Sequence, residues 1–301
     1  MATAKSKSNR KWEYPGYLYI LPWLLGFTIL QLYPFIQSFY YSLTNYSIMA
    51  SPKWVGIQNY VTLLTNDPEF WNSFTVTWIY TLYTVPGKII MALIIALLMN
   101  RNMKGINTLR TIYYIPSLFG GSVAICILWR LMFMDDGIIN ALLSVFSLPH
   151  VQWLGNTKTA LPTICMLEIW QFGSSMVMLL AALKNVPQDL YEAAELDGAG
   201  AVAKFVHVTL PQISPIIFFN VIMQTINALQ AFTNAFVITK GGPLKSTYLL
   251  GMKLYQEAFS YYKMGYASAI SWIIFGAIMV VTLLLFRFSS GVVYYSDAGE
   301  F

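Results

Sequence analysis

Asn185–Pro215 reads N-V-P-Q-D-L-Y-E-A-A-E-L-D-G-A-G-A-V-A-K-F-V-H-V-T-L-P-Q-I-S-P, a polar interval between two long apolar runs. Asn185 is suited to cap a helix and Pro187 to sit in its first turn, where the missing amide proton costs nothing. Asp189, Glu192 and Glu195 then recur every third residue, an acidic ridge near the helix N-terminus, where the peptide dipoles favour negative charge. Ala193 and Ala194 keep the helix slim, so another surface can approach its backbone. Gly198 and Gly200 end it and permit a sharp turn. A second short helix is predicted over Ala201–Thr209 with Phe205 and Val208 on its apolar face, and Pro211 and Pro215 set the start of the next element. The expectation is a compact two-helix knob with one acidic edge and an aromatic plug, shaped to dock into a cleft on a partner.

The flanks of the knob decide its solvent. Of 301 residues, 57% are hydrophobic and only 10% charged, whereas a soluble domain carries about 25% charged residues. Lipid tails solvate such a surface and water does not. Six apolar windows long enough to span a bilayer lie at Tyr17–Leu43, Trp71–Met99, Leu109–Phe133, Ala160–Leu183, Ile213–Thr239 and Ala267–Phe288. The fold class is therefore an all-α integral membrane protein. Residues 1–301 read as one transmembrane domain: a tail over 1–14, a first span with its outer loop over 15–70, and a five-helix core over 71–290 carrying the knob at 185–211. These spans and loops leave no room among the 301 residues for a nucleotide-binding domain.

Lysine and arginine in the short loops set the orientation. With the N-terminus inside, the cytoplasmic set is Lys5, Lys7, Arg10, Lys11, Arg101, Lys104, Arg110, Lys184, Lys204 and Arg287. The outer set is Lys53, Lys158, Lys240, Lys245, Lys253 and Lys263. Both termini and the knob then face the cytoplasm. A basic segment before an apolar run also suits a signal peptide, but Tyr17–Tyr41 is too long and lacks a small-residue cleavage site, so it reads as a retained span. The net charge of +5 comes with no basic stripe interleaved with aromatics, which argues against nucleic acid as a partner. Cys126 and Cys165 lie far apart inside apolar runs, without metal-ligand spacing. In the outer loops, a short interfacial helix is expected within Asn45–Phe70, and Gly241-Gly242-Pro243 marks a turn.

The knob resembles the cytoplasmic loop of binding-protein-dependent ABC transporter permeases. Glu192-Ala193-Ala194, Asp197-Gly198-Ala199, Phe205, Leu210-Pro211 and Pro215 stand at that family's spacing. Leu21-Pro22-Trp23, Tyr33-Pro34, Gly241-Gly242-Pro243 with Ser246-Thr247, and Gly265-Tyr266-Ala267-Ser268-Ala269 look like its carbohydrate branch, which pairs two different permeases. The resemblance extends over nearly the whole chain. It implies a type I importer permease fold in the bacterial plasma membrane. Glu192, Ala193, Ala194, Asp197, Gly198, Phe205, Leu210 and Pro211 would form the coupling helix, seated in a groove of an ATPase subunit. The partners implied are a second permease, an ATPase dimer that binds the ATP and magnesium, and an extracytoplasmic sugar-binding protein. This chain itself would bind no cofactor and catalyse no reaction.

Amides inside lipid-embedded helices are costly unless they face protein or water. Span five offers Asn220, Gln224, Asn227, Gln230 and Asn234, and span four Glu168, Trp170, Gln171 and Ser174. They either bond across helices or line a polar path. By the resemblance, the family's sugar site lies midway across the membrane on these spans, which selects Trp170, Gln171, Ser174, Gln224, Asn227, Ala228 and Ala231 as substrate-pathway candidates. Span two is expected to bend at Lys88 after Pro86-Gly87. Lys88 either pairs with Glu168 or, like Arg130, attracts an acidic sugar; the outer lysines suit an acidic sugar or an acidic binding protein. The alternative of an ion-coupled secondary transporter calls for inverted repeats and buried ion carriers, and Glu168 is the one mid-span carboxylate. A membrane enzyme would need a catalytic constellation, whereas His150 and His207 fall on opposite sides of the predicted topology and no phosphate-binding loop occurs.

Overall fold

A computed structural model describes residues 14–101 and 104–289. The basic tail at Lys5–Lys11 and the chain beyond Ser289 lie outside the described residues, as do the positions of both termini. The helices are α1 (Tyr14–Phe27), α2 (Tyr33–Ser42), α3 (Gln58–Thr65), α4 (Pro68–Met99), α5 (Ile106–Leu118), α6 (Val123–Met132), α7 (Ile138–Val145), α8 (Ala160–Trp170), α9 (Gly173–Lys184), α10 (Gln188–Leu196), α11 (Ala201–Lys204), α12 (Leu210–Leu229), α13 (Thr233–Ile238), α14 (Leu250–Tyr255) and α15 (Met264–Ser289). Wider π-helical turns at Thr28–Leu32, Phe205–Thr209 and Gln256–Ser260 follow α1, α11 and α14 without a break. No strand occurs among the described residues.

Four helical runs are long and apolar enough to cross a bilayer: Tyr19–Ser42, Pro68–Met99, Ala201–Leu229 and Met264–Ser289. Two bent pairs, α5 with α6 and α8 with α9, complete the expected six if each pair counts as one span. Here the structure departs from the apolar windows. The third window is broken by a 100° bend between α5 and α6, at Phe119–Ser122, where Gly121 takes a positive φ of 73° that side chains disfavour. The fourth bends by 45° at Gln171–Phe172. The fifth, drawn at Ile213–Thr239, starts earlier and is interrupted. The predicted second knob helix runs through its π-helical turn into the membrane helix, and the ladder stops at Leu229. Pro211 does not interrupt this run; it falls directly after the π-helical turn Phe205–Thr209, which widens the helix ahead of it.

α4 is the central post. It runs 32 residues as one continuous helix through Pro86, Gly87 and Lys88. Asp67 caps it, accepting a bond from the Phe70 N–H at 3.0 Å, and Pro68 fills the first position. Thr77, Thr81 and Thr84 satisfy their hydroxyls on carbonyls one turn back, which lets polar residues sit buried at membrane depth. Toward the knob end, Ala92 and Ala96, one turn apart, are fully buried and admit Met176, Leu179, Leu180 and Leu183 of α9. Close approach at small residues is how helices gain packing energy where water supplies no drive. At its other end Phe70 joins Leu63 of α3 with Leu250, Ala269 and Ile270, so a short helix does form within the segment Asn45–Phe70, and it is anchored. α1 and α2 stand outside this core, and α2 touches α15 through Phe35 and Phe39, both 4.8 Å from Trp272.

Candidate functional site

The knob is built locally. Val186, ahead of a proline, is driven out of helical geometry, so Asn185 closes α9 rather than capping the next helix, and Pro187 stands just before α10. α10 ends on a paired closure: the Gly198 N–H bonds the Glu195 carbonyl at 3.0 Å and the Ala199 N–H bonds the Ala194 carbonyl at 2.9 Å. Gly198 is left-handed there, with φ 77°. Tyr191 and Thr209 hydroxyls bond at 2.9 Å and Glu195 pairs with Lys204, which tie α10 to the following turn. None of the residues of α10 is buried. Glu192, Ala193, Asp197 and Gly198 are exposed, and Ala194, Phe205, Leu210 and Pro211 are half-buried. Leu196 is 91% exposed and Val202 77%. Two large aliphatic side chains at such exposure, beside an acidic edge, form an apolar tip that none of the described residues covers.

The second feature is a polar cavity of about 400 Å³ at the breaks of spans three, four and five. Gln171 and Ser174 reach it from the α8–α9 bend, and Asn227, Ala228 and Ala231 from the end of α12. Five of the seven pathway candidates thus share one cavity. The other two do not line it. Trp170 packs against Trp129, with ring centroids 6.0 Å apart and planes tilted by 31°. Gln224 donates to Ser175 Oγ at 3.2 Å, the cross-helix bond of its alternative reading. The bends create the space: at Gly173 a Cβ would lie 2.7 Å from the Tyr113 carbonyl oxygen, so α9 starts hard against α5.

Across the cavity Lys88 Nζ lies 2.6 Å from Glu168 Oε1, and Asn234 Nδ2 donates to Glu168 Oε2 at 3.1 Å. Lys88 is thereby paired and is not a vacant cation for an acidic sugar. Arg130 is remote from this pair and lines a different cavity with Asp135 and Asp136. Tyr80, Ser117, Gly120, Gly121 and Thr233 also line the polar cavity and escaped sequence reasoning. Gly120-Gly121 inside an apolar run was the available signal; Tyr80 carries none, since only tertiary packing brings α4 to the site.

On the side of the bundle away from the knob, Lys253 is 2% exposed in its side chain and sits 2.8 Å from Asp67 and 3.3 Å from Glu257. It is thus not a surface lysine for docking, while Lys245 pairs with Glu69. Burial works to raise the Asp67 pKa, but hydrogen bonds from Lys253, Tyr266 and the Phe70 N–H, with the Lys253 charge, hold it below its ordinary value. The cysteines are buried, and His150 is engaged by Asn140 and the Asp135 carbonyl. Among the described residues no group of His, Cys, Asp or Glu could hold a metal ion.

The family model described as "Binding-protein-dependent transport system inner membrane component" matches residues 60–294. The chain belongs to this family. This permease is 44% identical to the probable ABC transporter permease protein YesP of Bacillus subtilis, over 99% of this chain and 98% of that one. It is 33% identical to the sulfoquinovosyl glycerol transport system permease protein SmoG of Agrobacterium fabrum, over 90% of this chain and 88% of its relative. Its fold matches a crystal structure of a bacterial ABC transporter involved in the import of the acidic polysaccharide alginate, with a TM-score of 0.80 at 22% identity, covering 93% of this chain and 96% of that one. The permease is a multi-pass membrane protein with the fold of an ABC importer subunit.

Proposed function

We propose that this permease moves a sugar or oligosaccharide from an extracytoplasmic binding protein into the cytoplasm by alternating access. It pairs with a second, different permease and is driven by two ATPase subunits that bind the ATP and magnesium. The knob faces the cytoplasm with both termini, and α10 seats in a groove of the ATPase: Leu196 and Val202 supply apolar contact, and Glu192 meets a basic residue. The observation that carries the reading is that α10 buries no residue within its own chain yet is locked into shape at both ends. A partly desolvated charge pair at such an interface can couple by a few kcal/mol, enough to pass a rigid-body movement to the membrane helices. Substrate passes through the cavity at Gln171, Ser174, Asn227, Ala228 and Ala231, where amides and hydroxyls serve a polyhydroxyl ligand. The carbohydrate named for one relative and for the alginate importer supports that class.

The test is a reconstituted assembly of both permeases, the ATPase and the binding protein, assayed with one- to four-ring oligomers of glucose, galactose and glucuronate. Uptake of at least one member, with ATP hydrolysis stimulated by the loaded binding protein, is the expected result. Glu192→Ala is expected to lower both by about tenfold or more while leaving the permease folded. Wild-type activity in that variant, or no uptake of any carbohydrate by the unaltered assembly, overturns the proposal.

A further inference from the structure

The polar cavity has an apolar neighbour. A second cavity, of about 520 Å³, lies against α14 and α15 and is lined by Gly251, Leu254, Tyr255, Ser271 and Phe275. Gln230 and Phe232 line both cavities. The two spaces therefore share a wall at the three-residue break between α12 and α13, the same break that opens the polar cavity.

From Phe232 an aromatic series continues beyond the polar cavity. Phe232 and Phe236, one turn apart on the α13 side, stack at 4.9 Å with planes 25° apart. Tyr255 lies 5.0 Å from Phe232 and 5.3 Å from Phe236. Phe259, one turn beyond Tyr255, follows at 5.2 Å and is 56% exposed. The exposed Tyr261 and Tyr262 come next in the turn before α15. Phe232, Phe236 and Tyr255 are partly buried, the first two packed against the core around Ile238 and Met252, and the end ring, Phe259, is open. Rings that face lipid alone would not border a cavity holding Lys88, Glu168 and Asn227, as Phe232 does.

We infer that Phe232, Phe236, Tyr255 and Phe259 form a stacking track that conducts pyranose rings between the end of α14 and the polar cavity. The C–H face of a pyranose is apolar and slightly positive, and an aromatic face is apolar and negative. Each ring can therefore hold a sugar without fixing its hydroxyls, so a chain can slide from ring to ring. The polar cavity then receives the leading unit by hydrogen bonding while trailing units rest on the track. An oligosaccharide fills both cavities at once, whereas a single ring can occupy the polar one alone. This deepens the carbohydrate reading of the same path and rests on it.

The experiment replaces Phe236, Tyr255 and Phe259 together by Leu, which keeps apolar volume and removes the aromatic faces, in the reconstituted assembly with the same oligomer panel. A single stacking contact corresponds to roughly 2- to 10-fold in occupancy. Uptake of the four-ring oligomers is expected to fall about tenfold and that of single rings less than about twofold, with binding-protein-stimulated ATP hydrolysis unchanged. Tyr255→Trp alone is expected to retain uptake of the four-ring oligomers. Equal loss at every length, or loss of stimulated ATP hydrolysis in parallel, makes the rings packing residues and overturns the track; so does an unchanged length profile. Failure of the unaltered assembly to move any carbohydrate overturns the functional reading, and the track with it, whereas uptake by the unaltered assembly with an indifferent triple variant removes the track alone.

Discussion

Lys88→Met isolates the one ion pair that bridges α4 and α8 beside the cavity. Removing one member of a fully buried pair costs about 3–5 kcal/mol, chiefly because the partner is left charged in a poor solvent. Two features reduce that here. The Glu168 side chain is 22% exposed, on a cavity large enough for water, and Asn234 still donates to its Oε2. The expected cost of Lys88→Met is therefore about 2 kcal/mol. Glu168→Gln strands the ammonium instead, whose side chain is only 9% exposed, and is expected to cost about 3 kcal/mol. The double variant leaves no charge behind and should lose only about 2 kcal/mol, so the coupling energy is about 3 kcal/mol, at the upper end for directly contacting residues. Equilibrium unfolding of the purified permease in mixed micelles, run as a double-mutant cycle, reads it directly. Additive single effects within about 0.5 kcal/mol would show that the pair does not hold the cavity wall and that Lys88 is available to substrate.

Three further outcomes are expected. Gln224→Leu with Asn227→Leu should lower uptake about tenfold, with Asn227 responsible for most of it in the single variants, because Asn227 lines the cavity whereas Gln224 bonds Ser175; unchanged uptake in the double variant contradicts the pathway. Asp67→Asn should destabilise the permease at neutral pH. The Asp67 pKa is lowered on folding, so its stabilisation is complete above its ordinary pKa near 3.8 and is lost as pH falls through the lower folded value; thermal scans should show the wild-type advantage shrinking below about pH 4, and a constant gap contradicts this. Gly198→Val should cost about 1–3 kcal/mol at a φ of 77° and weaken capture of the ATPase in pull-downs, whereas an unaffected variant would mean that the turn after α10 is not held as described.

The knob was legible because it is made of short-range signals. Gly198 after Leu196 and the proline ahead of Gln188 act within one or two turns of chain, and the structure uses both locally. The apolar windows were legible for the same reason, since lipid asks only for length and composition. What windows do not carry is where a helix stops inside apolar sequence. Gly120-Gly121 breaks the third span because the chain turns there against α8 and α9, and the stop at Leu229 follows no glycine or proline. The cavity was half visible: Gln171, Ser174 and Asn227 are polar where polarity is expensive, but Tyr80 and Phe232 look like any core residue until helices distant in sequence are packed together. The fate of Lys253 was hidden likewise, because its partner Asp67 lies before α4.

The proposed transport cycle requires the knob to be a cytoplasmic docking surface. Leu196→Cys, in a permease whose Cys126 and Cys165 are replaced by Ser, places a single thiol at its exposed apolar tip. In intact cells a membrane-impermeant maleimide added outside should leave this thiol unlabelled, and in the purified assembly a short bifunctional maleimide should join it to the ATPase subunit. Labelling from outside, or a thiol that cross-links to no ATPase subunit, would contradict the account at its root.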